Sequence, residues 1–311
     1  MPSALRLADP TVAPLDVPDF GTPDLDAHHL DAPAVCVPGA SAGFPVAENL
    51  CRVLVNEALN DDYRLMVAAA PAAALAARPG QFFHLACPPS GEDRPFLRRP
   101  MSIHAVDPAA GTITFLYKVQ GAGTRGLATL APGDRLDAFG PLGHGFAAPE
   151  GRRHLLMLAR GVGLATLAPQ AEAVAAAGGR VTAVLSARAR DLVMAEDRLA
   201  ACGCDTLVVT DTDGTSAVEA LRARIAAIHA ERPFDAIVTC GSDRLMRLAR
   251  DFARAWGVPG EVALEQHMAC AVGLCHACVR PFVDAAGETT YRRVCWDGPV
   301  FPIEEATSWS I

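Results

Sequence analysis

The sequence predicts a multi-domain β plus α/β protein: a small β-barrel or sandwich, then a doubly wound parallel-sheet domain, then a short cysteine-bearing segment. Three observations carry this. Between about Pro45 and Ala148, short apolar stretches alternate with Gly/Pro turns. After Gly151, continuous apolar strands alternate with helical stretches, the pattern of strands covered on both faces. Near the C-terminus, "CAVGLCHAC" (270–278) concentrates three cysteines, and Cys295 follows.

The elements fall in order. Residues 1–45 hold eight prolines and six aspartates, with Arg6 as the only basic side chain other than histidine. No strand or helix period persists there, so a flexible extension is expected. Residues 46–149 supply the strands "CRVLVNEAL", "YRLMVAAA", "GQFFHLAC", "SIHAV", "GTITFLYKV" and "DRLDAFGPLG". Residues 150–260 supply the strand "RHLLMLA", a turn "RGVG" and a helix through Ala177. They continue with "RVTAVLSA", a helix near Met194–Ala201, "TLVVTD", a helix over Ala217–His229, "DAIVTCG" and a helix over Asp243–Trp256. Residues 261–311 hold the cysteines.

Composition narrows the function. A net charge of −8 and a pI near 5.6 argue against a nucleic-acid or anionic-membrane surface. The start of the chain lacks a basic flank followed by an apolar region, and no run of about 18 apolar residues occurs, so a cytoplasmic chain without a membrane span is expected. In a reducing compartment, clustered cysteines are more often metal ligands than disulfides. No hydrolase elbow, P-loop or H-E-x-x-H arrangement is present.

The cluster reads Cys270-x4-Cys275-x2-Cys278-x16-Cys295. A zinc site and a disulfide pair are the alternatives, but zinc ribbons favour two short C-x2-C-like pairs. The x4, x2 and distant-fourth spacing is that of plant-type [2Fe–2S] ligation. Small residues at Ala271, Gly273 and Ala277 let backbone amides wrap the anionic cluster. For His276, between two of the ligands, the alternatives are a fifth or Rieske-type ligand and a solvent-facing loop residue, and the latter is expected.

In this order the parts resemble the ferredoxin–NADP reductase superfamily, and within it the electron-transfer subunits of dihydroorotate dehydrogenase B. The resemblance rests on "RRPMSI" and "EQHMACAVGLCHAC" and covers nearly all of the chain after residue 45. It implies a Greek-key flavin-binding barrel and FAD. Arg99, Pro100, Met101 and Ser102 match the family's Arg-Pro-x-Ser signature, with Arg99 at the pyrophosphate and Ser102 at the isoalloxazine. Guanidinium geometry suits phosphate oxygens. Leu116, Tyr117 and Lys118 match the next flavin segment, with Tyr117 also readable as a core residue. Gly123 and Thr124 match the Gly-Thr that meets the pyrophosphate, while Ala122 stands where the family often has lysine.

The resemblance also implies an NAD(H) site. Gly161, Gly163 and Ala165 match a Gly-rich turn after the first strand of the nucleotide domain, but Ala159 and Arg160 replace glycines and Thr166 replaces proline. Arg160 either blocks the dinucleotide phosphate or contacts it. Cys240 and Gly241 match a segment beside the nicotinamide. Within the cluster motif, Glu265, Met268, Cys270, Gly273, Cys275 and Cys278 match, and Ala271 replaces a glycine.

The implied function is electron transfer between NAD and an FMN-containing catalytic subunit, dihydroorotate dehydrogenase-like and in a hetero-oligomer, in pyrimidine biosynthesis. The chain itself carries no catalytic site for dihydroorotate. Two alternatives stay open: a reductase subunit for another partner, such as a hydrogenase or ferredoxin-linked enzyme, and a cluster-bearing scaffold whose NAD site has decayed.

Overall fold

The computed structural model describes residues 46–308; the extension expected at 1–45 lies outside them. The first domain comprises β1 (Ala47–Ala58), β2 (Tyr63–Ala69), α1 (Ala72–Leu75), β3 (Phe82–Leu85), β4 (Arg99–Ser102), β5 (Ala105–Asp107), β6 (Thr112–Lys118), α2 (Ala122–Ala128) and β7 (Arg135–Leu142). Its seven strands run in the order β4-β3-β7-β1-β2-β6-β5, with antiparallel neighbours throughout. The period-2 pattern of the sequence becomes alternation between core and surface. Val53, Met66, Ile113, Phe115 and Leu136 point into one buried cluster. The end strands β4 and β5 are consecutive in the chain, joined by Ile103 and His104. Ile103 N–H donates to Gln81 O, and His104 N–H donates to Thr114 O. Those two bonds stitch the opposite edges of the sheet together, so it curls into a partly closed barrel.

The second domain is built from β8 (His154–Arg160), α3 (Gly163–Ala176), β9 (Arg180–Ala187), α4 (Glu196–Ala201), β10 (Asp205–Thr210), α5 (Val218–Glu231), β11 (Ala236–Cys240), α6 (Asp243–Trp256) and β12 (Gly260–Ala263). The chain then forms the hairpin β13 (Val279–Val283) and β14 (Thr289–Arg293), α7 (Val294–Asp297) and β15 (Val300–Pro302). The six-stranded sheet has the order β10-β9-β8-β11-β12-β15, parallel except for β15. In β8, every residue from His154 to Ala159 is buried, because one face meets α3 and the other meets α5 and α6. Helix α6 starts where Ser242 Oγ accepts from Leu245 N–H and stops at Gly257, whose φ is 63°. The strand order reverses between β8 and β11, which opens a crevice at their carboxyl ends. The closing strand β15 comes from beyond the cysteine loop, so the cysteine segment leaves the sheet at β12 and returns to it.

The two domains pack directly. Tyr63 and Leu116 of the barrel share one apolar cluster with Leu155, Leu164 and Val300. Gln170 Nε2 donates to Ala147 O at 3.0 Å, and Arg198 donates to His104 O at 3.1 Å. No helix among the described residues is long and apolar enough to cross a membrane.

Candidate functional site

The residues matched to the flavin signature converge on one surface of the barrel. β4 pairs with β3, placing Ser102 opposite Phe82 and Arg99 opposite Leu85. All four β4 residues are half-buried and so reachable. The Arg99 side chain lies across Gly123, where an added Cβ would stand 2.6 Å from Arg99 Nε. Glycine at 123 is therefore required by the arginine above it. Thr124 Oγ1 accepts from Gln120 N–H at 3.0 Å and from Gly121 N–H at 3.1 Å, which fixes the entry of α2. "GAGT", readable as a bare turn, is thus the first turn of a helix. A guanidinium over a glycine beside capped backbone fits a pyrophosphate.

Tyr117 departs from its match. Its ring is 1% exposed in the barrel core, and its hydroxyl donates to Asn56 Oδ1 at 2.8 Å. The strand alternates, so residues 113, 115 and 117 face inward; the side chain of Tyr117 is a core element, not a flavin contact. Leu116 points the other way into the interdomain cluster, and Lys118 pairs with Asp62 at 3.0 Å.

At the crevice, the glycines serve close approach. A Cβ on Gly163 would meet Cys240 O at 2.5 Å, and one on Gly241 would meet Arg160 O at 2.2 Å. Gly161 and Gly241 have φ of +53° and +96°. The turn after β8 and the end of β11 thus interlock backbone to backbone, bringing Gly161, Gly163, Cys240 and Gly241 together. Thr166, buried on α3, hydrogen-bonds the Cys240 thiol. That thiol is pushed up by burial and then by the nearby Glu265 carboxylate. Ala159 faces inward, 1% exposed.

Arg160 is engaged by partners within the chain. Its guanidinium turns away over β9 to Asp211, at 2.6 and 3.2 Å, and to Ser186 Oγ at 2.8 Å. Asp211, which no sequence motif marks, directly follows β10, and a charged side chain after an apolar run is the available signal.

Beside Cys240 lies a cavity of 230 Å³ between the carboxyl ends of β11 and β12, the start of α6 and the cysteine segment. Glu265 borders it. The residue is exposed, but the protein packed around its carboxyl pushes the pKa up by desolvation. Arg280, 5% exposed on β13, reaches the same cavity and donates to Thr307 O. No local motif marks Arg280, because the cavity wall it forms is made by tertiary packing.

The cysteine loop has the donors an anionic cluster requires. Gly273 N–H donates to Cys295 Sγ at 3.2 Å, Cys275 N–H to Cys270 Sγ at 3.4 Å, and Cys295 N–H to Cys278 Sγ at 3.4 Å. Cys278 and Cys295 stand 3.2 Å apart, sulfur to sulfur. That contact, followed by backbone amides, draws Cys278 down to about 6, against burial. At Cys270 burial pushes up, but amides from Cys275 and Val272 outweigh it and the thiol falls to about 7. Cys295 moves up, since Cys278 sheds its proton first. Thiolates solvated by amides fit iron–sulfur ligation. Ala271 and His276 take φ of +59° and +58° to wrap the loop. His276 is exposed, as expected.

Barrel, parallel sheet and cysteine loop together define a flavin- and iron–sulfur-binding electron-transfer protein with ferredoxin-reductase architecture. Residues 265–307 match the iron–sulfur cluster binding domain of dihydroorotate dehydrogenase B. The electron-transfer subunits of dihydroorotate dehydrogenase B (NAD(+)) from Bacillus cereus and Bacillus anthracis are each 35% identical over 229 residues, 73% of this chain and 86% of theirs. A solved structure of an NADH-dependent reduced ferredoxin-NADP oxidoreductase, studied for flavin-based electron bifurcation, is 29% identical with a TM-score of 0.69, covering 82% of this chain and 89% of its own. The ferredoxin reductase of carbazole 1,9a-dioxygenase shares the fold at 23% identity and TM-score 0.56, over 70% and 68% of the two chains. The chain belongs to the family of dihydroorotate dehydrogenase B electron-transfer subunits.

Proposed function

We propose that this chain relays electrons between an FMN-bearing, dihydroorotate-oxidising partner and NAD(H). The observation that carries the reading is the co-location on one chain of the Arg99–Gly123 cradle, the interlocked glycine crevice and the amide-lined cysteine loop. When bound, FAD exchanges a hydride for single electrons and the [2Fe–2S] cluster carries single electrons. The residues of the chain hold and insulate these groups. Arg99, with Gly123 and Thr124 beneath it, would hold the FAD pyrophosphate, and Ser102 the isoalloxazine. Gly161, Gly163 and Gly241 let the backbone approach a dinucleotide, and Cys240 and Glu265 border the nicotinamide end. Cys270, Cys275, Cys278 and Cys295 would ligate iron in two pairs.

The partner docks at the cysteine loop in this reading. There Leu274 and Trp296 are 81% and 53% exposed, close to the exposed Cys275. Apolar surface beside an electron exit suits a protein partner. The test is reconstitution. Dihydroorotate should reduce NAD⁺ only when this chain and a co-purifying FMN protein are both present, and dihydroorotate alone should leave the isolated chain oxidised. Reduction of the isolated chain by dihydroorotate would refute the division of labour. Co-purification with a hydrogenase or ferredoxin-linked enzyme instead would reassign the partner.

A further inference from the structure

We propose that Arg293 tunes the reduction potential of the iron–sulfur site: its guanidinium, held by Asp297 against the cysteine loop, makes one-electron reduction easier. This rests on the reading of the four cysteines as iron ligands. One side chain ties the two cysteine-bearing stretches together. Arg293 ends β14, two residues before Cys295. Its Nη1 donates to Gly273 O at 3.3 Å, within the loop between Cys270 and Cys275. The Gly273 N–H in turn donates to Cys295 Sγ at 3.2 Å. A Cβ on Gly273 would stand 3.2 Å from Arg293 Nη1, so glycine there lets the guanidinium close on the loop.

A single carboxylate fixes the other side of the guanidinium. Nη2 donates to Asp297 Oδ1 at 3.0 Å and Nε to Asp297 Oδ2 at 3.1 Å, and the Arg293 backbone N–H donates to the same Oδ2 at 2.7 Å. The fork therefore lies between the carboxylate and the cysteine loop, with its positive charge on the loop side. Asp297, and then the Cys295 and Cys278 sulfurs, push the Arg293 pKa up, so this charge is within electrostatic reach of two of the four cysteines. The neighbouring Arg292 is engaged elsewhere. It pairs with Glu305 at 2.6 Å and lies over the Phe282 ring, 5.1 Å from its centroid. Reduction brings one electron from a reduced flavin, with no proton, so the site becomes one charge more negative. A cation fixed beside the sulfurs stabilises that form more than the oxidised one. Both members of the Arg293–Asp297 pair are half-buried, so solvent screens this effect only in part.

Dithionite titration of anaerobically purified, full-length protein, followed by EPR, reads the midpoint. Arg293→Gln should lower the ratio of reduced to oxidised cluster at a fixed potential by about tenfold, a fall of about 59 mV for one electron, at unchanged iron and sulfide content. Asp297→Asn should do the opposite. Its amide oxygen still accepts from the backbone N–H and Nε, but the balancing negative charge is gone, and the ratio should rise by about threefold. A pair that only braces the loop would move both variants in the same direction. Arg292→Gln makes the same charge change one residue away and should leave the ratio within about twofold of wild type. An unchanged midpoint in Arg293→Gln, a fall in both variants, or an equal fall in Arg292→Gln would overturn the inference while leaving the four ligands in place. If Arg293→Gln does not hold iron, Asp297→Asn decides: a rise supports the inference, and no rise overturns it. Wild type without iron and sulfide would remove the ligand reading, and this inference with it.

Discussion

Ala271 sits in left-handed backbone at φ +59° and is 1% exposed, at a position where the family pattern has glycine. An L-residue there costs about 1–2 kcal/mol. The strain is tolerated because the amides of the loop must turn toward the cysteine sulfurs. Ala271→Gly is therefore expected to raise the stability of the cluster-loaded protein by about 1 kcal/mol, read as a shift in the denaturant midpoint at unchanged iron content. An unchanged or lower midpoint would show that the loop does not store that strain. At the flavin cradle, Arg99 and Ser102 should differ in weight. A charge-assisted phosphate contact is worth about 1.5–3 kcal/mol and a neutral hydrogen bond about 1. Fluorescence titration should find FAD weakened more by Arg99→Ala than by Ser102→Ala; equal affinity in wild type and Arg99→Ala would remove Arg99 from the site.

Strand β4 is flanked by two buried histidines, His84 opposite Pro100 and His104 just beyond Ser102. Burial and then Arg98 hold His84 down at about 4; burial and then Arg198 hold His104 down at about 3. Both stay neutral in the fold, while the unfolded chain protonates them below about 6.5. The unfolded state thus binds more protons as pH falls below that value, and stability drops from there down through the folded-state values. The melting temperature should fall between pH 7 and pH 5, and His84→Asn with His104→Asn should flatten that slope. An equal slope in the double variant would assign the acid sensitivity elsewhere. Strands such as β6 and β8 were legible in the sequence because a period of two, or a continuous apolar run, is written in consecutive residues. Helix α2 was not: it is short and carries two glycines, and the Arg99 side chain lies across it from another strand. The same limit hid the Arg160–Asp211 pair, whose members are 51 positions apart. It also left Tyr117 ambiguous, since only the curl of the sheet decides which face of β6 is inside.

At the scale of the molecule, the cysteine segment is an excursion of the nucleotide domain. The chain leaves the sheet at β12, forms the cysteine loop and the β13–β14 hairpin, and re-enters as β15, where Val300 pairs with Ala263 and Phe301 with Val262. Phe301 and Phe282 pack with ring centroids 4.5 Å apart, joining hairpin to sheet. Val294, Cys278 and Cys295 belong to the same buried cluster as Leu245 and Phe252 of α6. The cysteine loop and helix α6 therefore share one continuous core.

An iron–sulfur module hung on a linker has to search for its redox partner by diffusion, and its turnover slows as the solvent thickens. Here the pairing of β12 with β15 holds the cysteine segment onto the nucleotide domain, the arrangement of soldered wiring and not of a swinging arm. The rate of internal electron exchange, measured by flash photolysis, should be the same in buffer and in concentrated sucrose. A rate that falls in proportion to viscosity would mean that the strand clamp opens during each electron transfer.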